Sequence, residues 1–339
     1  MRFSSFRFTN TAILVLVLAL TLTGLYGLFW TFHGWMYTIH RAAGWALIAI
    51  LPWKAAIILR SLRRGFQPGF DRGVTVSISI FLAALTLLVL ALGVLWKGRF
   101  GPAEYPLRQT AVSWHWMLAL GLLAPFLLHA WRRWPYPRRV DFASRRAALR
   151  AGMLGGLALL GFAASQAVAR MRELAEAPQR FTGSRLAGLY SGNQYPVTHN
   201  APASADQIDP VGWRLRVSGS QPLELSYDDL LRLPMQEVEA TLDCTLGWYT
   251  TQKWQGVTLV SLLELAGAPS EPAAVRLESV TGYAHILPFT EARDVLLATH
   301  VGGEPLAPSH GFPLRAVVPS RRGWFWVKWL AKIDYLTVP

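Results

Sequence analysis

The sequence predicts a two-part protein: an all-α transmembrane helical bundle followed by an α+β domain around a mixed sheet. Three observations predict it. The 339 residues are 52% hydrophobic and only 16% charged, with a mean hydropathy of +0.28, whereas an average soluble domain carries about 25% charge. The deficit is local, because residues 1–170 hold long apolar runs and residues 176–339 read as ordinary soluble sequence. The basic residues that set the net charge of +13 gather beside the apolar runs. The positive-inside rule explains that placement, so the charge does not indicate a nucleic-acid partner.

Five segments approach the roughly 20 apolar residues a bilayer requires. They cover 11–31, 36–59, 74–96, 111–131 and 147–168. Arg2 and Arg7 precede the first; Arg60, Arg63, Arg64 and Arg72 follow the second; Arg132, Arg133, Arg138, Arg139, Arg145 and Arg146 follow the fourth. The alternate loops are poorer, with Arg41, Lys97, Arg99 and Arg108. The N-terminus is therefore expected in the cytoplasm of a bacterial inner-membrane protein. An odd number of spans puts the C-terminal domain on the periplasmic or extracellular side. The division is 1–139 for a four-helix membrane domain, 140–175 for a fifth helix and 176–339 for the outer domain. Ser144-Arg145-Arg146 leads into the fifth apolar stretch, which ends at Ala167-Val168-Ala169. This resembles a twin-arginine export signal, the route for domains that load a cofactor before crossing. An uncleaved anchor is favoured over removal at 167–169.

Ionisable side chains inside a bilayer are costly and usually functional. His33 ends the first span, His40 opens the second, and His115 opens the fourth with His129 near its far end. The first three lie at one depth, near the outer face. Two of them on facing helices would supply the axial imidazoles of a b-type haem. His40 with His115 is the preferred pair and His33 the alternative ligand. His129 lies about 21 Å along its helix from His115 but has no histidine at its own level on another span, so one haem is expected. Spans and histidines together resemble the b-type cytochrome subunits of bacterial respiratory enzymes. That resemblance implies electron exchange with quinone or another redox carrier.

From residue 181 short strands and turns take over. Trp213–Val217 alternates as a strand does. Ser226 and the following Tyr227–Leu231 read as a capped helix. Val238–Leu242 reads as a strand that delivers Cys244 at its end. Thr258–Ala266 reads as a helix closed by Gly267, and Val275–Val280, Leu314–Val318 and Trp326–Tyr335 read as strands. Cys244 is the only cysteine, so it forms no intramolecular disulfide. It is either a small buried hydrophobe or a thiolate holding a soft metal.

The outer domain carries Cys244 with Gly247-Trp248, Trp254-Gln255-Gly256, Gly282-Tyr283-Ala284, Gly303-Glu304-Pro305, His310-Gly311-Phe312-Pro313-Leu314-Arg315 and Val327-Lys328-Trp329-Leu330. In that order these pieces resemble the molybdopterin domain of the sulfite oxidase family. The resemblance implies a sulfite oxidase-like fold with molybdenum held by Cys244, the catalytic ligand. It implies cofactor contacts from Tyr195, Thr198, His199, His310, Arg315, Trp326, Val327 and Lys328. The chain departs from sulfite oxidases by Val197 and by Trp248-Tyr249, where those enzymes place substrate-binding arginines. Cys-x3-Trp is more similar to the periplasmic methionine sulfoxide reductase branch. The family's dimerisation domain is absent from the sequence, so no family-type dimer is expected.

The expected function is oxygen-atom transfer at a sulfur or nitrogen centre by a membrane-anchored oxidoreductase. Its substrate would be a small sulfur or nitrogen oxide or protein methionine sulfoxide. Its partners would be membrane lipid and quinone, and its cofactors molybdopterin and a b-type haem. The alternative is a membrane relay or binding protein whose outer domain keeps the fold without active metal.

Overall fold

The structure is a computed structural model of the full chain. It describes residues 2–30, 34–63, 70–100, 106, 109–133, 136–173, 179–198 and 208–337. The chain separates into two compact units, one of Met1–Gly27 with Phe32–Gly183 and one of Leu28–Thr31 with Ser184–Pro339.

The first unit is helical. Its elements are α1 (Arg2–Phe29), α2 (Gly34–Arg63), α3 (Phe70–Lys97), α4 (Ala111–Arg133), the short α5 (Arg139–Phe142) and α6 (Arg145–Glu173). Five stretches, Phe6–Phe29, Gly34–Leu59, Ser77–Lys97, Ala111–Arg132 and Arg145–Arg172, are long and apolar enough to cross a membrane by length and composition. Their large apolar side chains point outward: Leu22 is 69% exposed and Leu160 68%. Such a surface is costly in water and is at home in hydrocarbon. Small and polar residues join the helices, as expected where packing cannot rely on the hydrophobic effect. Between α2 and α6, Arg41 donates to Gln166 Oε1 at 2.6 Å and Trp45 Nε1 donates to Ser165 Oγ at 3.1 Å. Gly161 permits that approach, because a Cβ there would stand 2.4 Å from the Trp45 ring.

The second unit holds two sheets over one core. Its elements are β1 (Arg185–Leu186), β2 (Leu215–Val217), β3 (Leu223–Leu225), α7 (Tyr227–Arg232), β4 (Gln236–Asp243), β5 (Trp248–Thr258), α8 (Leu259–Leu265), β6 (Ala274–Ser279), β7 (Ala284–Pro288), α9 (Phe289–Ala292), β8 (Leu296–Val301), β9 (Glu304–Pro305), β10 (Arg315–Val317) and β11 (Leu330–Leu336). One sheet runs β1-β5-β8-β10, with β4 on β5 and β9 on β8; the other runs β3-β2-β11-β6-β7. β1 is parallel to β5 and β2 to β11, while the remaining pairs are antiparallel. Leu215, Leu277 and Ile333 of one sheet and Trp254, Leu297 and Val317 of the other belong to the same buried cluster. Helix starts follow capping chemistry: Ser226 and Asp229 form a reciprocal capping box on α7, and Thr258 caps α8.

One stretch read from sequence as a strand differs. Trp326–Trp329 is not part of β11, which starts at Leu330. A 3₁₀ turn over Gly323–Phe325 and a left-handed Trp329 (φ 55°) set this segment's course. Its backbone bonds locally instead, with Val327 N donating to Phe325 O at 3.0 Å.

Candidate functional site

The β4–β5 hairpin presents Cys244. Cys244 N donates to Trp248 O at 2.8 Å and Gly247 N returns to Cys244 O at 3.0 Å, with Gly247 left-handed at φ 92°. Beneath this tip Arg322 Nη2 donates to Cys244 O at 2.9 Å and pairs with Asp243 at 3.3 Å. Ser184 also donates to Asp243, at 2.7 Å. The hairpin tip is thus clamped by a buried ion pair.

Cys244 opens onto a cavity of about 750 Å³, counting its mouth. Tyr195, Thr198, His310, Arg315, Trp326 and Lys328 line it too, so these sequence-identified positions converge. Thr198 Oγ1 lies 3.8 Å from the Cys244 sulfur and accepts from Trp248 Nε1 at 3.2 Å. Lys328 Nζ donates to the carbonyls of Thr198 and Ser309 at 3.0 and 2.9 Å. His310 Nε2 lies 3.1 Å from Tyr195 O, and the two rings are 4.0 Å apart. Arg315 Nη1 donates to His310 O at 2.9 Å and Tyr195 Oη at 3.3 Å. Gly311 makes the crossing possible, being left-handed at φ 115°; a Cβ there would lie 3.2 Å from both Arg315 and Lys328. Val327 is fully buried, accepting from Ala316 N at 2.8 Å, and does not line the cavity. His199 lies outside the described residues.

Burial dominates the electrostatics. It pushes the Cys244 thiol above its ordinary range, opposed by hydrogen bonds from the Leu246 backbone and Thr198 and by the Arg322 charge. It also pulls Arg315 down, opposed by Tyr195 and Cys244. Among the described residues no carboxylate lines the cavity. Arg315 is 5% exposed, and its Nε has no hydrogen-bond partner among the described residues. A buried cation with an unspent donor calls for an anion. Among the described residues no group of three or more His, Cys, Asp or Glu could hold a metal. One soft sulfur ligand and a cationic cradle, with no further cluster of metal ligands among the described residues, fit a metal carried by an anionic dithiolene cofactor.

Lining residues not assigned to the site from sequence include Thr245, Ser279, Thr281, Tyr283 and Trp324. Ser279 ends β6 and the others stand in turns or in the 3₁₀ turn at Gly323–Phe325, where no periodicity marks an inward side chain. Arg321 and Arg322 do not line the cavity. Arg321 is bound by Glu291 and Arg322 by Asp243.

In the helical unit His40 and His115 face each other with ring centroids 6.2 Å apart. His40 Nδ1 lies 2.8 Å from Thr23 Oγ1, and His115 Nδ1 lies 2.8 Å from Val89 O. Each Nδ1 is thus engaged by a neighbouring helix, which fixes ring orientation. α3 comes close at Gly93, where a Cβ would stand 3.1 Å from the His115 ring. His33 lies outside the described residues.

The family model for the oxidoreductase molybdopterin binding domain matches residues 201–339. The chain is 36% identical over 146 residues to the uncharacterized oxidoreductase YuiH of Bacillus subtilis, covering 42% of this chain and 73% of that one. It is 36% identical over 180 residues to mitochondrial sulfite oxidase of Rattus norvegicus, covering 43% of this chain but only 32% of that one. It is 28% identical over 244 residues to the protein-methionine-sulfoxide reductase catalytic subunit MsrP of Gluconobacter oxydans, covering 60% of this chain and 75% of that one. The mixed-sheet unit is a molybdopterin-binding oxidoreductase domain. The chain belongs to the molybdopterin-binding oxidoreductase family and is an oxidoreductase enzyme.

Proposed function

We propose that this enzyme is a membrane-anchored, molybdenum-dependent oxygen-atom transferase acting at a sulfur or nitrogen centre and exchanging electrons with quinone through a b-type haem. The observation that carries the reading is the single cysteine, Cys244, at a cationic cavity with no carboxylate among its described lining residues. Bound there, the molybdenum cofactor supplies two-electron oxygen-atom transfer. Cys244 supplies the protein's ligand to the metal, and Thr198 and Arg322 hold its sulfur and carbonyl in place. Arg315 and Lys328 supply the positive charge the cofactor's anionic groups need, with Tyr195 and His310 packed beside Arg315. His199 is proposed as a further contact.

The cavity walls favour a neutral organic oxide over sulfite. Trp248, Tyr283 and Trp324 line it, while Arg321 and Arg322 are committed to Glu291 and Asp243. A dianion would meet aromatic faces where it needs cations. A sulfoxide, including methionine sulfoxide in a protein, suits a wall of this kind, and reduction by quinol is the favoured direction.

For the haem, His40 and His115 would supply the two imidazoles: their ring centroids are 6.2 Å apart, and with each Nδ1 engaged by a neighbouring helix, each Nε2 would be left for iron. The apolar outward surface of the helices supports placement in the inner membrane. The arginine-rich loops support a periplasmic catalytic domain. One chain carrying both redox groups replaces diffusional encounter by a high effective concentration.

The test is the full chain purified from a cofactor-competent host. Expected are molybdenum near one per chain, a b-type band in the reduced-minus-oxidised spectrum, and faster reduction of sulfoxides than oxidation of sulfite with artificial electron partners. A protein that stays free of molybdenum in such a host contradicts the reading.

A further inference from the structure

The mixed-sheet unit includes four residues from far outside its own stretch of sequence. These are Leu28–Thr31, the end of α1 and its continuation. Phe29 O accepts from Arg322 N at 3.4 Å, and Trp30 forms an isolated antiparallel bridge with Arg321. The Arg321 guanidinium lies 4.5 Å from the centre of the Trp30 ring and 4.6 Å from that of Phe325. It also donates to Glu291 Oε1 through Nη2 at 2.7 Å. Arg321 is buried, and a desolvated cation gains most from aromatic faces.

The next residues support the hairpin tip that presents Cys244. Arg322 Nε donates to Asp243 O at 3.2 Å and Nη2 to Cys244 O at 2.9 Å. Gly323 fits closely against the same tip, since a Cβ there would stand 3.5 Å from the Cys244 Cα. Arg322 also precedes the 3₁₀ turn whose Trp324 lines the cavity. Residues 321–323 lie between β10 and β11, outside the strands of either sheet. No ladder fixes them, and the bridge from Trp30 and the bond to Phe29 stand in its place. The Arg322 side chain can aim at the Cys244 carbonyl only as well as its backbone is held.

We propose that Phe29 and Trp30 form a positioning strap for the metal-binding hairpin: they hold Arg321 and Arg322, and Arg322 fixes the backbone from which the Cys244 sulfur reaches the metal. As a statement about a metal ligand, this rests on the reading of Cys244 above. The end of a segment that reads as a membrane span is then a working part of the catalytic domain. Thr23, six residues earlier on α1, holds Nδ1 of His40. α1 thus contributes a supporting residue to each of the two proposed redox centres.

The test uses the full chain, once free of cofactor and once loaded. Cys244 is the only cysteine, so a thiol reagent reports on the hairpin tip alone. Cys244 is buried, so labelling requires the tip to open. Trp30→Leu keeps an apolar side chain and loses the ring face; Trp30→Phe keeps a ring. In the cofactor-free chain Trp30→Leu is expected to label about tenfold faster than wild type, and Trp30→Phe close to wild type. Arg321→Met removes the other half of the stack, and it serves alone where Trp30→Leu does not fold. The double variant is expected to label no faster than the quicker single one, because both remove one interaction. In the loaded chain the EPR signal of the one-electron-reduced molybdenum centre is expected to shift in Trp30→Leu and to recover in Trp30→Phe. A strap that served stability alone would lower Tm and leave that signal unmoved. A wild-type labelling rate in Trp30→Leu, or effects of the two single variants that simply multiply, overturns the strap and leaves the functional reading standing. A chain that stays free of molybdenum removes the functional reading and leaves the labelling result intact.

Discussion

Replacing Arg315 by methionine separates what this cation does for the fold from what it does for the cofactor. Arg315 is 5% exposed, makes two hydrogen bonds through Nη1, and stacks 5.6 and 5.8 Å from the rings of Trp254 and Trp326. Burying an ion costs several kcal/mol. Against this stand two charge-assisted hydrogen bonds of about 1.5–3 kcal/mol each and stacking of up to about 2 kcal/mol. The terms nearly cancel, so without cofactor a methionine of similar length is expected to change stability by less than about 2 kcal/mol. At about 2–4 °C per kcal/mol for a domain of this size, Tm moves by less than roughly 8 °C. With cofactor the balance changes, because the unspent Nε donor and the charge then have a partner. Losing one such charge-assisted bond, at about 1.5–3 kcal/mol, lowers cofactor affinity by roughly 10- to 150-fold. Thermal unfolding of the cofactor-free protein and molybdenum content per chain give the two numbers. Unchanged molybdenum content in Arg315→Met would refute the reasoning. So would a cofactor-free protein destabilised by more than about 4 kcal/mol, which would make Arg315 a structural residue.

Asp243→Asn removes the charge paired with Arg322, a side chain 5% exposed. A buried pair broken on one side costs about 3–5 kcal/mol, so unfolding of the mixed-sheet unit is expected well below the wild-type temperature; an unaltered Tm would show that the backbone bonds of Arg322 suffice. His40→Ala and His115→Ala are each expected to abolish the b-type band while His33→Ala retains it. Loss of the band in His33→Ala with survival in His40→Ala would reassign the ligand pair.

The legible parts of this protein were those with chemical or periodic signatures. The apolar runs marked the five long helices because each exceeds what a soluble core helix needs. Cys244, His310, Arg315 and Lys328 stood out through the order of the pieces around them, and the structure brings them to one cavity. β5 was passed over as a strand because its inward positions include Thr250 and Gln252, both fully buried. These polar residues are satisfied by bonds to Gly188 O, so the usual apolar alternation is broken. Trp326–Trp329 failed in the opposite way. It is apolar enough for a strand, but the left-handed Trp329 and the preceding 3₁₀ turn are not written in hydrophobicity. Tyr283 and Trp324 reach the cavity through pairing of β6 with β7 and through the turn before β11, both long-range facts.

The account depends on the Cys244 sulfur binding the metal. X-ray absorption at the molybdenum edge, on wild type and Cys244→Ser, tests this most directly. The account predicts one sulfur fewer around molybdenum in the serine variant, with pterin still present and turnover lost. An identical sulfur shell with wild-type turnover would contradict it.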